Sequence, residues 1–312
     1  MIRNRINILK KKIKDLEIDG YIIPKNDEFF SEYAKNDRLK NISNFTGSAG
    51  LAIILKKNNY LFVDGRYSIQ AQKESGKNFK IIEIHKKLPY AILKKCKLGF
   101  DPRLFTTKKL KYYFSKNIQL VSINENLVDK IFKKHTKKTK PFFSLPSHIA
   151  GENHQSKIKK IVNFLVSNKA DYLFISAPEN VAWLLNIRGH DNPTSPIPNS
   201  RLIISKNKEL LLFAKKNMLE KIIKEKKIKI TQVIDFYKFK QSINKLKGRV
   251  FITDANTCSI FDEKIIKSKF KILDKDDPIY RLKSIKNPSE IKHMIEAHKE
   301  DGLALTRFIY WI

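Results

Sequence analysis

An internal repeat of about 150 residues is the strongest constraint on how this 312-residue chain can fold. Each half begins with an amphipathic helix pattern that leads into a short apolar strand, and a β-hairpin pattern and two further strands follow. Tyr21 and Tyr172 lie 151 positions apart, and Gly99 and Gly248 lie 149 apart. The recurrence of these features in one order at nearly one offset predicts two tandem α/β domains. The matching segments are 5–20 and 156–170, 21–24 and 172–175, 51–63 and 201–213, 97–101 and 247–251, and 119–123 and 270–273.

The domain boundaries follow from this repeat and from local composition. A chain of this length is hard to organise around a single core. A segment rich in Lys, Thr, Pro and Ser, which carries Pro141 and Pro146, is typical of a linker. The predicted organisation is a first domain, a linker, a second domain and the start of a third, over residues 1–140, 141–147, 148–278 and 279–312.

The C-terminal segment is predicted to be a long helix with an uncovered apolar face. Asn287 suits the N-cap, Pro288 the first helical position, and Glu290 can close a capping box. An exposed stripe of this size invites aggregation. Either the helix folds back onto the second repeat, or the chain is cut at the entrance to a third domain, which we favour. The stripe comprises Ile291, Met294, Ile295, Leu305, Ile309 and Ile312.

The charge balance raises the possibility of a nucleic-acid partner. Lys and Arg number 63 against 31 Asp and Glu, which gives a net charge of +32. Ten of the basic residues are Arg, and the lysines are spread along the whole chain beside many Asn and Ile. Runs at 10–14, 133–140 and 221–229 are the local exceptions. The pattern favours a solvated surface over a nucleic-acid site, because no RNA-binding or zinc-finger motif accompanies it.

Other features exclude several classes of protein. No segment reaches the roughly 18 uncharged apolar residues of a membrane span. A Lys run, Asp15 and Glu17 near the N-terminus argue against a signal or transit peptide. Two distant cysteines, Cys96 and Cys258, form neither a disulfide framework nor a four-thiolate zinc site, and we expect both to be buried thiols. A cytoplasmic protein without a membrane partner is therefore predicted.

An ordered set of short motifs carries a family resemblance. With these motifs the chain resembles the N-terminal part of the long form of Xaa-Pro aminopeptidase (aminopeptidase P), a creatinase/pita-bread metallopeptidase. Asn44 departs from the glycine usual there, and residues 177–180 and 195–198 also depart from the family pattern. The motifs are Asp-Gly-Tyr-Ile-Ile-Pro at 19–24, Ser-Glu-Tyr at 31–33, Phe-Thr-Gly-Ser-Ala-Gly at 45–50, Asp-Gly-Arg-Tyr at 64–67, Gly-Phe-Asp-Pro at 99–102, Val-Ala-Trp-Leu-Leu-Asn-Ile-Arg-Gly at 181–189, Lys-Asn-Pro-Ser-Glu at 286–290 and Ala-His-Lys-Glu-Asp-Gly at 297–302.

The resemblance implies two creatinase N-terminal-like domains, each a mixed sheet flanked by helices, and the first helix of a pita-bread catalytic domain. The complete enzyme would be a homodimeric hydrolase that releases an N-terminal residue preceding proline from a peptide. It would use two divalent metal ions, usually manganese, held by two Asp, one His and two Glu. Those ligand segments are not in this chain, so we expect no catalytic or metal residue here and an inactive fragment.

Arg66 is the one candidate substrate-binding residue. It lies between a predicted strand and a predicted helix, where a guanidinium can bind a peptide carboxylate or carbonyl. A solvated charge on a turn is the alternative from the sequence alone. In the resembling family this arginine reaches from the first domain toward the substrate, which favours the binding role.

Two other classes of function remain open at this stage: a non-catalytic peptide- or protein-binding module, and a basic nucleic-acid-binding protein. The remaining motifs have ordinary structural explanations. Residues 46–50 lack the lysine and the spacing of a P-loop and suit a tight backbone path before the hairpin. We expect structural roles for Asn186, Arg188, His190, Asp191 and His298.

Overall fold

A computed structural model describes residues 2–34, 36–114, 117–132, 140–225 and 228–312. By contact, the chain divides into two compact units, Met1–Lys138 with Ala255–Ile265, and Thr139–Asp254 with Ile266–Ile312. Most of the basic run at 133–140 and two residues of the run at 221–229 lie outside the described residues. The domain boundaries drawn from the sequence stay a prediction.

The first unit alternates helices and strands, as the sequence pattern predicts. Its elements are α1 (Ile2–Asp15), β1 (Gly20–Pro24), α2 (Arg38–Ser43), β2 (Gly50–Leu55), β3 (Asn59–Val63), α3 (Ser68–Ser75), β4 (Lys80–Glu83), β5 (Cys96–Phe100), α4 (Thr107–Tyr113) and β6 (Ile118–Ser122).

The second half of the chain repeats this order with insertions and with additions at both ends. By contact, Ala255–Ile265, which include most of one of its helices, belong to the first unit. The remaining elements are β7 (Phe143–Ser144), α5 (Ser147–Ala150), α6 (His154–Ser167), β8 (Tyr172–Ile175), α7 (Pro178–Leu185), β9 (Ile187–Arg188), β10 (Arg201–Ser205), β11 (Leu210–Phe213), α8 (Glu220–Lys224), β12 (Val233–Ile234), α9 (Phe239–Lys245), β13 (Val250–Thr253), α10 (Ile260–Lys267), β14 (Lys271–Asp274), α11 (Pro278–Ser284) and α12 (Pro288–Trp311).

Both units contain the same six-stranded sheet, which confirms the duplication. The strand orders are β4-β3-β2-β1-β5-β6 and β12-β11-β10-β8-β13-β14. One strand in each sheet, β2 in the first and β10 in the second, is antiparallel to both of its neighbours. The other pairings are parallel. The carboxyl ends of the other five strands therefore lie at one edge of each sheet. Strands β7 and β9 form a separate two-stranded sheet.

The strands are buried on both faces, as continuous apolar runs require. In β1, Tyr21 and Ile23 belong to the core on one face and Ile22 to the core on the other, because successive side chains alternate. Helix α1 covers one face with Ile6, Leu9 and Ile13. The helical spacing of Ile6, Leu9 and Ile13 predicts that Leu16 belongs to the same apolar face, and this is wrong: the helix ends at Asp15, and Leu16 is 45% exposed.

Asn44 explains one departure from the family pattern. It is the C-cap of α2 and has a φ of 64°, in the left-handed region. Glycine is the usual residue in that conformation, and asparagine is the next best tolerated. The substitution therefore leaves the helix end intact.

Helix α12 begins as predicted and then leaves its apolar face exposed. Asn287 and Glu290 form the capping box, and Asn287 Nδ2 also donates to the Ala150 carbonyl at 2.9 Å. Beyond this first turn every residue of the helix is exposed, including Met294 at 46% and Ile309 at 60%. The hypothesis that the helix folds back onto the second repeat is wrong. Across the described residues, no helix is both long enough and apolar enough to span a bilayer.

One aspartate in each unit fixes the start of the first strand. Asp171 Oδ2 accepts from the backbone N–H groups of Arg249 at 2.7 Å and Val250 at 3.0 Å. Its Oδ1 accepts from Lys206 Nζ at 2.8 Å. Burial raises the pKa of Asp171, but these hydrogen bonds outweigh it and hold the pKa at about 2. The carboxylate thus ties the hairpin end and β13 to the start of β8.

Asp19 does the same in the first unit. It accepts from Lys56 Nζ at 2.8 Å and from the Lys97 N–H at 2.9 Å. The hydrogen bond from Lys56 lowers the pKa of Asp19. The two aspartates therefore hold equivalent positions in the duplicated fold, and Asp19 has fewer backbone donors.

We expect Asp171→Asn to reduce the free energy of unfolding at pH 7 by about 1 to 2 kcal/mol. Because the folded pKa is depressed, the carboxylate contributes fully above pH 3.8 and loses its contribution as the pH falls toward 2. The difference between wild type and variant should therefore disappear near pH 2. Urea unfolding at several pH values, followed by circular dichroism and by Trp183 fluorescence, measures it.

Asp19→Asn is the matched comparison. The Asp19 side chain is 45% exposed against 18% for Asp171, so the loss should be smaller. Equal stability of wild type and Asp171→Asn at pH 7 would contradict this account of the clamp.

Candidate functional site

A cleft of about 260 Å³ opens at the carboxyl edge of the first sheet. It lies where β1 and β3 end and β2 begins, the place where α/β sheets commonly bind ligands. The lining residues are Pro24, Lys25, Asn26, Phe30, Glu32, Ser48, Ala49, Gly50, Leu51, Phe62, Val63, Asp64, Ile84, Lys109 and Tyr113.

Arg66 lies beside this cleft but is not one of its lining residues. It follows β3 in a single 3₁₀ turn capped by Asp64. Its Nε donates to Asp64 Oδ1 at 2.8 Å, and its backbone N–H donates to the same oxygen at 3.0 Å. The guanidinium lies over the Tyr67 ring, 5.6 Å from the centroid. Since the side chain is 74% exposed, its outer nitrogens are oriented and accessible.

The ion pair with Arg66 keeps the Asp64 carboxyl group ionised. The side-chain hydrogen bond from Arg66 lowers the pKa of Asp64, and the same bond raises the pKa of Arg66. Asp64 also lines the cleft. The arginine and the cleft are therefore joined through one carboxylate.

Residues 46–50 form a tight backbone path, and Glu74 accepts two hydrogen bonds from the first of them. Thr46 donates from its backbone N–H to Glu74 Oε2 at 2.8 Å and from Oγ1 to Glu74 Oε1 at 2.7 Å. A Cβ on Gly47 would lie 2.3 Å from Cζ of the Phe45 ring. A carboxylate at this position disfavours phosphate, and the glycine admits the aromatic ring.

Lys109 brings to the cleft an ammonium group that pairs with no carboxylate of the described residues. Its Nζ lies 3.5 Å from Asn26 Oδ1 and 6.0 Å from the centroid of the Tyr113 ring. Burial lowers the pKa of Lys109. The neighbouring Lys25 differs, because its Nζ lies 2.5 Å from Asp37 Oδ2.

Asn26 is fixed so that its oxygen faces Lys109. Its Nδ2 donates to the carbonyls of Leu104 and Asp27, both at 3.0 Å. The residue is 9% exposed. Rotation of the amide would remove the donor from the buried Leu104 carbonyl, which is costly.

Phe30 forms one wall of the cleft in a strained backbone conformation. Its φ is 59°, which is unfavourable for an aromatic residue. The preceding Asp27 holds the loop by accepting from the N–H groups of Phe29 at 2.9 Å and Ser31 at 3.0 Å. The loop therefore keeps a costly geometry next to the cleft, a situation common at binding sites.

The other singled-out residues have structural contacts. Asn186 is the left-handed C-cap of α7 and accepts from Lys157 Nζ at 2.7 Å. Arg188 donates to the Ala182 carbonyl at 3.1 Å. The last carbonyls of α7 thus meet cationic side chains, as the helix dipole favours.

The His and Cys residues also fall outside the cleft. His190 packs on the Phe143 ring with a centroid distance of 5.4 Å, and Asp191 accepts from the Asn199 N–H at 2.9 Å. His298 contacts the Met294 carbonyl within α12. Cys258 is buried as expected, whereas Cys96 is half-buried at the start of an edge-adjacent strand.

No group of three or more His, Cys, Asp or Glu side chains able to hold a metal ion occurs within the described ranges. The described residues therefore supply no ligand set for a dinuclear metal centre.

Sequence reasoning missed Lys109, Asn26 and Phe30. Lys109 lies in a run of basic and aromatic residues where no neighbour distinguishes it. The polar residues directly after β1 were the available signal, because a polar segment at the carboxyl end of a buried strand often marks a site. The left-handed Phe30 has no signal in the sequence.

Both halves of the chain match one protein family. Residues 5–131 and 133–290 each match the family described as Creatinase/Prolidase N-terminal domain. Xaa-Pro aminopeptidase 1 of Dictyostelium discoideum is 30% identical over 100% of this chain and 53% of its own length. Xaa-Pro aminopeptidase ApepP of Drosophila melanogaster is also 30% identical, over 100% of this chain and 54% of its own.

The fold agrees with a solved relative. The X-prolyl aminopeptidase of Caenorhabditis elegans, described as a cytosolic enzyme with a di-nuclear active site, superposes with a TM-score of 0.84 at 23% identity. The match covers 100% of this chain and 56% of that one. The chain thus spans about half the length of the relatives it matches. Its duplicated sheet, its ordered motifs and both matches establish that the chain belongs to the creatinase/prolidase N-terminal domain family and carries two such domains in tandem.

Proposed function

We propose that this chain is the N-terminal half of a metal-dependent Xaa-Pro aminopeptidase, which releases an N-terminal residue preceding proline. The supporting observation is that the whole chain aligns with Xaa-Pro aminopeptidases while it spans about half of their length. In this proposal the two divalent metal ions, manganese in the first instance, are bound by residues that this chain does not contribute. The chain itself shapes the substrate site and supports the catalytic part.

Arg66 is the proposed substrate contact. Its guanidinium is held at one nitrogen by Asp64 and is otherwise open. A peptide carbonyl or carboxylate downstream of the proline can accept from the free nitrogens, which present a planar donor pair. Asp64 keeps the side chain oriented, so less conformational entropy is lost on binding.

The contacts of the arginines favour a solvated surface over a nucleic-acid site as the explanation of the high positive charge. Several of the ten arginines contact carboxylate or carbonyl groups of their own unit instead of forming an open basic patch. These are Arg5, Arg38, Arg66, Arg103 and Arg188. We further propose a cytoplasmic location and a homodimeric complete enzyme.

Residues 1–312 alone are expected to show no hydrolysis of an Ala-Pro-Leu peptide in manganese, whereas a chain extended to the full length of its relatives should hydrolyse it. The reason is that the metal ligands are proposed to lie outside this chain. Liberated alanine, measured by chromatography, distinguishes the two. Turnover by residues 1–312 would overturn the proposed division of labour.

In the complete enzyme we expect Arg66→Ala to raise KM about tenfold for peptides of three or more residues, which corresponds to about 1.4 kcal/mol, with kcat nearly unchanged. A dipeptide substrate should respond less, because it lacks the downstream carbonyl. Steady-state kinetics on both substrate lengths test this.

Lys73→Ala is the matched control, since Lys73 is an exposed cation on the adjacent α3. It should leave both KM values unchanged. Wild-type kinetics for Arg66→Ala on the longer peptides would remove Arg66 from the substrate site.

A further inference from the structure

The cleft in the first unit carries a cation that lacks a counterion. The Lys109 ammonium group makes one long hydrogen bond, 3.5 Å to the Asn26 oxygen, and a distant contact with the Tyr113 ring. No carboxylate of the described residues forms an ion pair with it. Keeping an ammonium group away from water without a charged partner is costly. An incoming anion would recover part of that cost, because a charge-assisted hydrogen bond is stronger where water is excluded.

The floor of the same cleft is apolar. Leu51 is 3% exposed and Phe62 is fully buried, and Ile84 is partly buried beside them. The strained Phe30 also lines the cleft. An aliphatic side chain of a ligand could contact these residues while an acidic group of the same ligand reaches Lys109.

The rim carries the opposite charge. Glu32 and Asp64 line the cleft at exposed or partly exposed positions. These carboxylates can accept from backbone N–H groups of an extended chain. At about 260 Å³, the cleft is slightly smaller than the roughly 300 Å³ of the smallest drug-sized pockets. It therefore suits a single amino-acid residue better than a large ligand.

We propose that this cleft binds the C-terminal residue of a short peptide, with the α-carboxylate on Lys109 and an apolar side chain over Leu51, Phe62 and Ile84. Asn26 positions the ammonium group, because two carbonyls hold its amide. The inference deepens the proposed function by assigning the far end of the substrate, and it rests on that function for the source of the peptide.

Binding of Ala-Pro-Leu to residues 1–312, measured by isothermal titration calorimetry, tests the proposal directly. The free acid should bind with a Kd below 1 mM, and the C-terminal amide should bind at least tenfold more weakly, because it lacks the charge that pairs with Lys109. Ala-Pro-Gly should also bind about tenfold more weakly, because it lacks the aliphatic side chain.

Lys109→Met is the decisive variant. It keeps an apolar stem and removes the charge, so acid and amide should then bind equally weakly. Lys111→Met on the same helix is the control, since Lys111 is exposed, and it should keep the preference for the acid. Circular dichroism and thermal unfolding should show that both variants are folded.

Three results would overturn the proposal: equal binding of acid and amide to the wild type, an unchanged preference in Lys109→Met, or no saturable binding up to 10 mM. Competition by inorganic phosphate as effective as that of the peptide acid would also overturn it in favour of a simple anion site. These measurements detect binding without turnover. A failed hydrolysis assay therefore tests the proposed function, and a failed titration tests this cleft alone.

Discussion

In each sheet, the hydrogen bonds of one aspartate hold the start of the first strand against its neighbours, and the positions of the other elements depend on this. Asp19 and Asp171 each tie the first strand to the hairpin end and to the neighbouring parallel strand. A strand shifted by one residue would turn its buried side chains to the opposite face. With the register fixed, the carboxyl ends of five strands meet at one edge, and the cleft beside Arg66 is formed there.

The carboxyl edge of the sheet differs between the two units. In the first unit it is open, and Lys109 and Asn26 face a cleft. In the second unit the N-terminus of α11 lies at the corresponding edge, beside Asp254, which follows β13. Asp277 caps that helix, accepts from Asn180 Nδ2 at 2.7 Å and donates its backbone N–H to Asp254. Burial raises the pKa of Asp277 to about 6, as expected for a carboxyl group sealed from water. The two equivalent edges therefore differ: the first has a polar cleft, and the second has the capped start of α11.

Much of the architecture could be predicted from the sequence because local signals and the repeat agree. The hairpins, the strand at 172–175 and the capping box of α12 all appear where the pattern places them. Leu16 shows the limit, since helical periodicity continues past the residue at which α1 ends. Element ends depend on tertiary contacts that periodicity does not contain.

The site was harder to predict than the fold. Arg66 was found through a motif, and its exposure and its bond to Asp64 agree with a turn that presents a guanidinium. Lys109 becomes distinctive because no carboxylate among the residues that the structure describes pairs with it and because Asn26, 83 residues away in sequence, faces it. Such a property depends on what the fold brings together. A linear pattern of lysines cannot reveal which of them remains unneutralised.

Helix α12 also presents a surface that the described residues do not cover, in this case an apolar one. A long amphipathic helix gains most of its stability from burying its apolar face, since local propensity contributes little. In α12 the described contacts of capping and packing lie at the first turn, through Asn287 and Glu290. Downstream, Phe308 is 53% and Trp311 79% exposed. Covering such a face would contribute roughly 25 cal/mol for each Å² removed from water. Burial of this face would therefore stabilise the helix and, through the contacts of its first turn, the second unit.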